Sequence, residues 1–271
     1  MTRSGVVHRP DGARIPWELL GDGGGPRMVF GHSLMGRGLG AEPIYRPLLD
    51  GGWAMLTMDQ RGHGEASPPP GGDFAVETLA GDMLAVLDEV GWDTAWLGGG
   101  SMGAAVATAA AALTPHRVEG LALLAPAVGG APNPALQPFA ALGDVFGRDG
   151  LDAGIAAYSA MARENGADEA LLALRAEQFR MQPAESWVAA LRGIARWNLA
   201  EALDAVQELD VPTAVVAWTG DDVHPLSVAE DLVRRLRDAR LHVLQEWNGD
   251  PAHLFRVMLD MTQAVSAARP R

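Results

Sequence analysis

Cysteine is absent from the 271 residues, and with it go disulfides, thiolate metal sites and a cysteine nucleophile. Basic charge is scarce: 21 Lys and Arg against 34 Asp and Glu leave a formal net charge of −13. A chain this acidic is repelled by phosphate backbones and anionic headgroups unless a basic patch offsets the charge, and the sequence has none. Neither nucleic acid nor a membrane surface is therefore an expected partner. An apolar leader is missing too, since Met1-Thr2-Arg3-Ser4-Gly5 runs into charged and polar residues, and the expectation is a cytoplasmic location. The longest uncharged stretch, Trp96 to Thr114, is broken by a glycine cluster that suits a strand, a turn and a helix better than a membrane span. There is no internal repeat, no low-complexity linker and no second Gly-rich phosphate loop.

What is present is apolar bulk. With 48% hydrophobic residues the chain can bury one sizeable core and a modest inserted subdomain. Short β-branched or apolar runs recur at Arg27–Phe30, Trp53–Met58, Thr94–Leu97, Val118–Leu124, Thr213–Trp218 and Leu241–Leu244. Helical spacing lies between them, most clearly over Phe74–Val90, where Leu79, Met83, Val86, Leu87 and Val90 fall three or four apart. Alternating strands and helices imply crossover connections and a mostly parallel sheet buried on both faces. Val6–His8 and Ile15–Leu19 would add an antiparallel edge hairpin. The alternation breaks after Pro126. From about residue 131 to 210 the chain is rich in Ala, Leu and Glu without a strand pattern, which predicts a helical lid over the carboxyl ends of the sheet. The expected division is a core of residues 1–130 and 211–271 and a cap of residues 131–210.

The chemistry concentrates where strand Thr94–Leu97 meets Gly98-Gly99-Gly100-Ser101-Met102-Gly103 and a helix over Ala104–Leu113. A G-x-S-x-G turn between strand and helix exposes a strained serine, and glycines two residues to either side admit the neighbouring backbone. The helix N-terminus then faces the serine, so the Met102 N–H can stabilise an oxyanion.

With this elbow, the chain resembles the α/β-hydrolase family over essentially its full length. Asp59-Gln60-Arg61-Gly62-His63-Gly64-Glu65-Ala66-Ser67 looks like that family's D-x-R-G-x-G-x-S loop, where His63 would stabilise the turn. The resemblance implies a mostly parallel eight-stranded sheet flanked by helices, with an inserted helical cap, and a serine hydrolase of the esterase, enol-lactonase or C–C hydrolase type. Phe30-Gly31-His32-Ser33-Leu34-Met35-Gly36 looks like its H-G-x segment, with Ser33 in place of glycine; by that match Leu34 donates the second oxyanion N–H and His32 orders the loop. The family order is Ser, acid, His. Thr219-Gly220-Asp221-Asp222-Val223-His224-Pro225 resembles the acid-bearing G-x-x-D-x-x-x-P loop; spacing from the proline selects Asp221, Asp222 remains a competitor, and His224 reads as a loop residue. Glu246-Trp247-Asn248-Gly249-Asp250-Pro251-Ala252-His253 holds the only histidine beyond the last strand, so His253 is the expected base, with Ala252 where relatives have glycine. Substrate-lining candidates are Met35, Tyr158, Met161, Trp187 and Trp218.

The expected reaction is hydrolysis of a carboxylic ester, thioester or lactone of a small, apolar substrate through an acyl-enzyme on Ser101. No cofactor and no metal is called for. A C–C hydrolase, a lyase-type biosynthetic enzyme and a ligand-binding receptor with weak turnover are the alternatives on the same fold, and oligomeric state is not read from the sequence.

Overall fold

The structure is a computed structural model that describes residues 2–21, 24–245 and 249–267. In chain order the main elements are β1 (Thr2–His8), β2 (Arg14–Leu20), β3 (Arg27–Gly31), α1 (Glu42–Asp50), β4 (Ala54–Met58), α2 (Val76–Val90), β5 (Ala95–Gly100), α3 (Met102–Leu113) and β6 (Val118–Leu124). Five helices follow: α4 (Gln137–Asp149), α5 (Leu151–Glu164), α6 (Glu169–Arg180), α7 (Ala184–Ile194) and α8 (Ala200–Val206). The chain ends with β7 (Thr213–Trp218), α9 (Leu226–Arg235), β8 (Ala239–Leu244) and α10 (Pro251–Ala267).

The strands form one sheet in the order β1-β2-β4-β3-β5-β6-β7-β8. β1 and β2 pair antiparallel from Thr2↔Leu20 to His8↔Arg14, β2 runs antiparallel to β4, and every later neighbour is parallel. Side chains alternate between two apolar layers, as period-two strands must. Val29, Leu97, Val215 and Ala217 join the layer under α2 and α3. Met28, Phe30, Trp96, Ala214 and Val216 join Tyr45, Leu48, Leu254, Phe255 and Met258 of α1 and α10 on the other face. Because both faces are covered, β4 and β5 are buried at every residue, which is why they read as continuous apolar or glycine runs.

Helix α2 begins two residues later than its periodicity suggests. Asp73 sets the start: Oδ1 accepts from the Ala75 N–H (3.1 Å) and Oδ2 from the Thr78 hydroxyl (2.8 Å). Phe74 lies outside the helix, stacked on Trp197 with centroids 5.6 Å apart.

The inserted helices form a cap around a third apolar cluster of Leu142, Phe146, Ile155, Phe179, Trp187 and Leu191, into which Met35 reaches from the core. Gln182, buried between α6 and α7, fastens the cap by donating to the carbonyls of Gly64 (3.0 Å) and Ala66 (2.7 Å). α8 packs on α3, with Leu203 and Val206 in the main core.

Candidate active site

β5 delivers the chain into the elbow through Gly98, Gly99 and Gly100, which pair with Ala122, Leu123 and Leu124 of β6. Ser101 then sits at φ 51° and ψ −108°, a conformation that costs an L-residue free energy and persists only where its surroundings enforce it. Two glycines make the turn sterically possible. A Cβ on Gly99 would lie 2.1 Å from the carbonyl carbon of Gly103, and one on Gly103 would lie 2.0 Å from the carbonyl oxygen of Gly31. The Ser101 N–H is fixed to the Leu124 carbonyl at 2.8 Å.

The same close approach brings the loop after β3 beside the elbow, and a Cβ on Gly100 would meet Ser33 Oγ at 3.0 Å. Residues 33–36 form a tight turn closed by the Gly36 N–H on the Ser33 carbonyl (2.8 Å). His32 orders it from below: Nδ1 donates to the Ser33 carbonyl (2.8 Å) and Nε2 accepts from the Gln60 N–H (3.0 Å), which fixes the tautomer. Among the described residues, the backbone N–H groups of Leu34 and Met102 take no acceptor within the chain.

The D-x-R-G-x-G-x-S loop buttresses this region. Asp59 accepts from the backbone N–H groups of Gly38 (2.7 Å), Leu39 (3.1 Å) and Glu65 (2.7 Å), while Arg61 is clamped between Asp82 and Asp11. His63 is fully buried, donates from Nδ1 to the Arg61 carbonyl (3.2 Å) and meets Trp187 of the cap edge-on at 5.1 Å. Burial, with the neighbouring His32 adding to it, holds His63 down to about 3, and burial likewise depresses His32. Both imidazoles are neutral near pH 7.

The imidazole at the serine belongs to His224. Its Nε2 lies 2.8 Å from Ser101 Oγ, and its Nδ1 lies 2.8 Å from Asp221 Oδ2. All three groups come to the carboxyl end of the sheet, Ser101 after β5 and the other two on the loop between β7 and α9. Asp221 accepts four hydrogen bonds, which fills a carboxylate. Oδ1 takes the N–H groups of Val223 and His224 (both 3.0 Å), and Oδ2 takes His224 Nδ1 and the Trp218 indole N–H (3.0 Å). Burial alone would raise this carboxyl, but the bonds from His224 and Trp218 outweigh it and bring it down to about 2. Asp221 is thus a carboxylate at neutral pH, Nδ1 carries the imidazole proton, and Nε2 is free to accept the serine proton.

The expectation that His253 reaches Ser101 is corrected here. His253 lies in the first turn of α10, two residues past Pro251, with its backbone N–H on the Asp250 carbonyl (3.1 Å). Glu246, Trp247 and Asn248, in the segment expected to present the base, lie outside the described residues. His224 needs no long loop, because the Asp221 side chain caps its own turn and folds residue 224 back onto the acid. The signal was in the sequence as Asp-x-x-His ahead of a proline. Asp221 contacts the imidazole; Asp222 points to solvent.

The substrate-lining candidates are also placed differently. Met35 and Trp187 are buried in the cap's apolar cluster, and Trp187 Nε1 donates to the Phe179 carbonyl (2.8 Å). Tyr158 packs edge-on to Phe179 at 5.1 Å, and Met161 is half-buried against the same cluster. Apolar side chains three or four apart on neighbouring helices turned toward one another and made a core. Trp218 bonds to the acid. A surface concavity of about 740 Å³ opens between the 72–75 loop and α4 and α7, and neither Ser101 nor His224 lines it. Among the described residues no three His, Asp or Glu side chains gather as metal ligands do, and no helix is long and apolar enough to cross a membrane.

Comparison with known proteins identifies the family. Residues 26–249 match the family model described as alpha/beta hydrolase fold. The dihydrolipoyllysine-residue acetyltransferase component of the acetoin cleaving system of Pseudomonas putida is 36% identical over 117 residues, which is 43% of this chain and 31% of that protein. Against that protein and epoxide hydrolase A of Mycobacterium tuberculosis, the chain spans about a third to two fifths of the relatives' length. In overall shape it is similar to a carboxylesterase of the thaumarchaeon Nitrososphaera gargenis, with TM-score 0.81, 16% identity and 98% and 100% of the two chains covered. The enol-lactonase of Burkholderia xenovorans LB400 gives TM-score 0.74 and 23% identity over 97% and 98%. The chain belongs to the alpha/beta hydrolase fold family.

Proposed function

We propose that this protein is a serine hydrolase that cleaves carboxylic esters, including lactones and thioesters, of a small-molecule substrate. The observation that carries the reading is the unbroken relay Ser101 Oγ, His224 Nε2, His224 Nδ1, Asp221 Oδ2, with 2.8 Å at each hydrogen bond, mounted on a strained serine. Ser101 Oγ attacks the acyl carbon as its proton passes to His224 Nε2, and Asp221 stabilises the imidazolium. The carbonyl oxygen becomes an oxyanion between the N–H groups of Leu34 and Met102, the latter at the positive end of α3. His224 then returns the proton to the leaving oxygen or sulfur. In the second half, His224 takes a proton from water, which attacks the acyl-enzyme, and Ser101 is regenerated with release of the acid.

The reading is tested by labelling with a fluorophosphonate probe and by turnover of p-nitrophenyl esters of varied chain length. Labelling is expected at Ser101, with turnover lost in Ser101→Ala and His224→Ala. Labelling elsewhere, or turnover that survives in Ser101→Ala, refutes it.

A further inference from the structure

Among the described residues, three non-glycines hold φ in the left-handed region: Ser101 (51°), Ala125 (45°) and Met35 (61°). Met35 is the third residue of the 33–36 turn, a place where positive φ favours glycine. Such a conformation relaxes unless neighbouring groups hold it. Besides the Gly36 N–H on the Ser33 carbonyl and His32 below the turn, two contacts do so from the cap. The Met35 side chain is 5% exposed in the cap's apolar cluster. The Met35 carbonyl accepts from Arg175 Nη1 of α6 at 3.1 Å, and the same Nη1 donates to Gln178 Oε1 at 2.8 Å, one turn along the helix. Arg175 is half-buried, and among the described residues no carboxylate pairs with it. Its guanidinium is directed at the backbone of the loop beside the nucleophile.

The geometry points to Arg175 as a positioning residue. By gripping the Met35 carbonyl it holds the 33–36 turn in its strained form, so that the Leu34 N–H is aimed at the oxyanion. The cap is thereby part of the oxyanion hole's scaffold. This rests on the reading of Leu34 as an oxyanion donor in an ester hydrolase.

The test compares wild type, Arg175→Met and Arg175→Lys in the full chain by three readouts. In Arg175→Met, kcat on p-nitrophenyl acetate is expected to fall about tenfold to a hundredfold with KM within about threefold, because a hole serves the transition state and not the bound substrate. Inhibition by phenylboronic acid, whose adduct on serine is tetrahedral and anionic, should weaken in step. Amide hydrogen exchange at Gly36, whose N–H closes the turn on the Ser33 carbonyl, should speed up about tenfold or more, while that of the elbow and α7 is unchanged. Arg175→Lys, which keeps a donor, should recover most of each effect. The inference is overturned if kcat and exchange stay at wild-type values, if KM alone rises, or if lysine rescues nothing. Absence of ester turnover in wild type would sink the hydrolase reading instead, and the exchange measurement would still decide whether Arg175 holds the turn.

Discussion

The location of the general base can be settled by a pair of substitutions with opposite outcomes. Among the described residues, His224→Ala removes the only imidazole in contact with Ser101 Oγ, at 2.8 Å, and no other histidine touches Asp221. Serine is then left with a proton it cannot surrender near neutral pH, and what survives is catalysis by the oxyanion hole and substrate binding. Triad members act as a unit, so the loss in kcat/KM should be about 10⁴ to 10⁶, or ~5 to 8 kcal/mol at ~1.4 kcal/mol per decade. His253→Ala touches a first-turn helical residue and should change kcat/KM by less than about threefold, as a surface-type substitution would. Combining the two should add nothing to the loss in His224→Ala. Asp221→Asn keeps the shape of the acid but removes the charge that selects the Nδ1–H tautomer, and about 10⁴ is expected from that change. The assay is p-nitrophenyl acetate hydrolysis across pH 6 to 9, with fluorophosphonate labelling rates as a substrate-independent check. The reasoning is refuted if His253→Ala falls as far as His224→Ala, or if His224→Ala keeps a tenth of wild-type activity.

Three further outcomes follow from contacts at and below the site. Trp218→Phe removes one donor from Asp221 Oδ2, so the carboxyl should rise above its present value of about 2 and kcat should drop about threefold to tenfold, read from pH–rate profiles against wild type. Gln182→Leu strips the donors from the carbonyls of Gly64 and Ala66 inside the cap–core seam; unfolding in urea should lose about 2 to 4 kcal/mol, and a loss below 1 would show that the seam relaxes freely. Finally, His32 and His63 are neutral when folded but protonate when unfolded below about pH 6.5, so the unfolded chain binds more protons and stability falls as pH is lowered. His63, held down to about 3, should contribute a slope approaching about 1.4 kcal/mol per pH unit between pH 6 and 5 in urea titrations, His32 should add to it in the same direction, and His63→Asn should remove the His63 share. A flat profile would contradict their burial as neutral groups.

The sheet and the elbow were legible because both are enforced locally. A strand buried on two faces must be apolar throughout, and Gly99 and Gly103 are demanded by backbone contacts of about 2 Å, so residues 95–103 declare themselves. The resemblance to the family's acid-bearing loop selected Asp221 by its spacing from the proline and kept Asp222 as a competitor, and it is Asp221 that contacts an imidazole in the structure. The base was not legible, because its position depends on how far a loop reaches. Chain order pointed to a histidine beyond β8, yet the cap on Asp221's own turn brought His224 to the serine first. The pocket was equally unreadable, since Met35, Tyr158, Met161 and Trp187 have the same apolar spacing whether they face a ligand or one another, and packing across four helices decided it.

On the proposed mechanism, acid and base stand three residues apart on one loop, which has a consequence for how this fold can vary. The link between β8 and α10 would then be released from carrying the proton-transfer group, so its length and composition would be free to drift under folding constraints alone. Conversely, the eight residues from Trp218 to Pro225 would hold acid, base and the acid's brace together, a cassette that exchanges as one piece. Loop grafting between members of the fold should therefore transfer general-base chemistry with a single segment here, where two separate segments are needed when the base stands beyond the last strand.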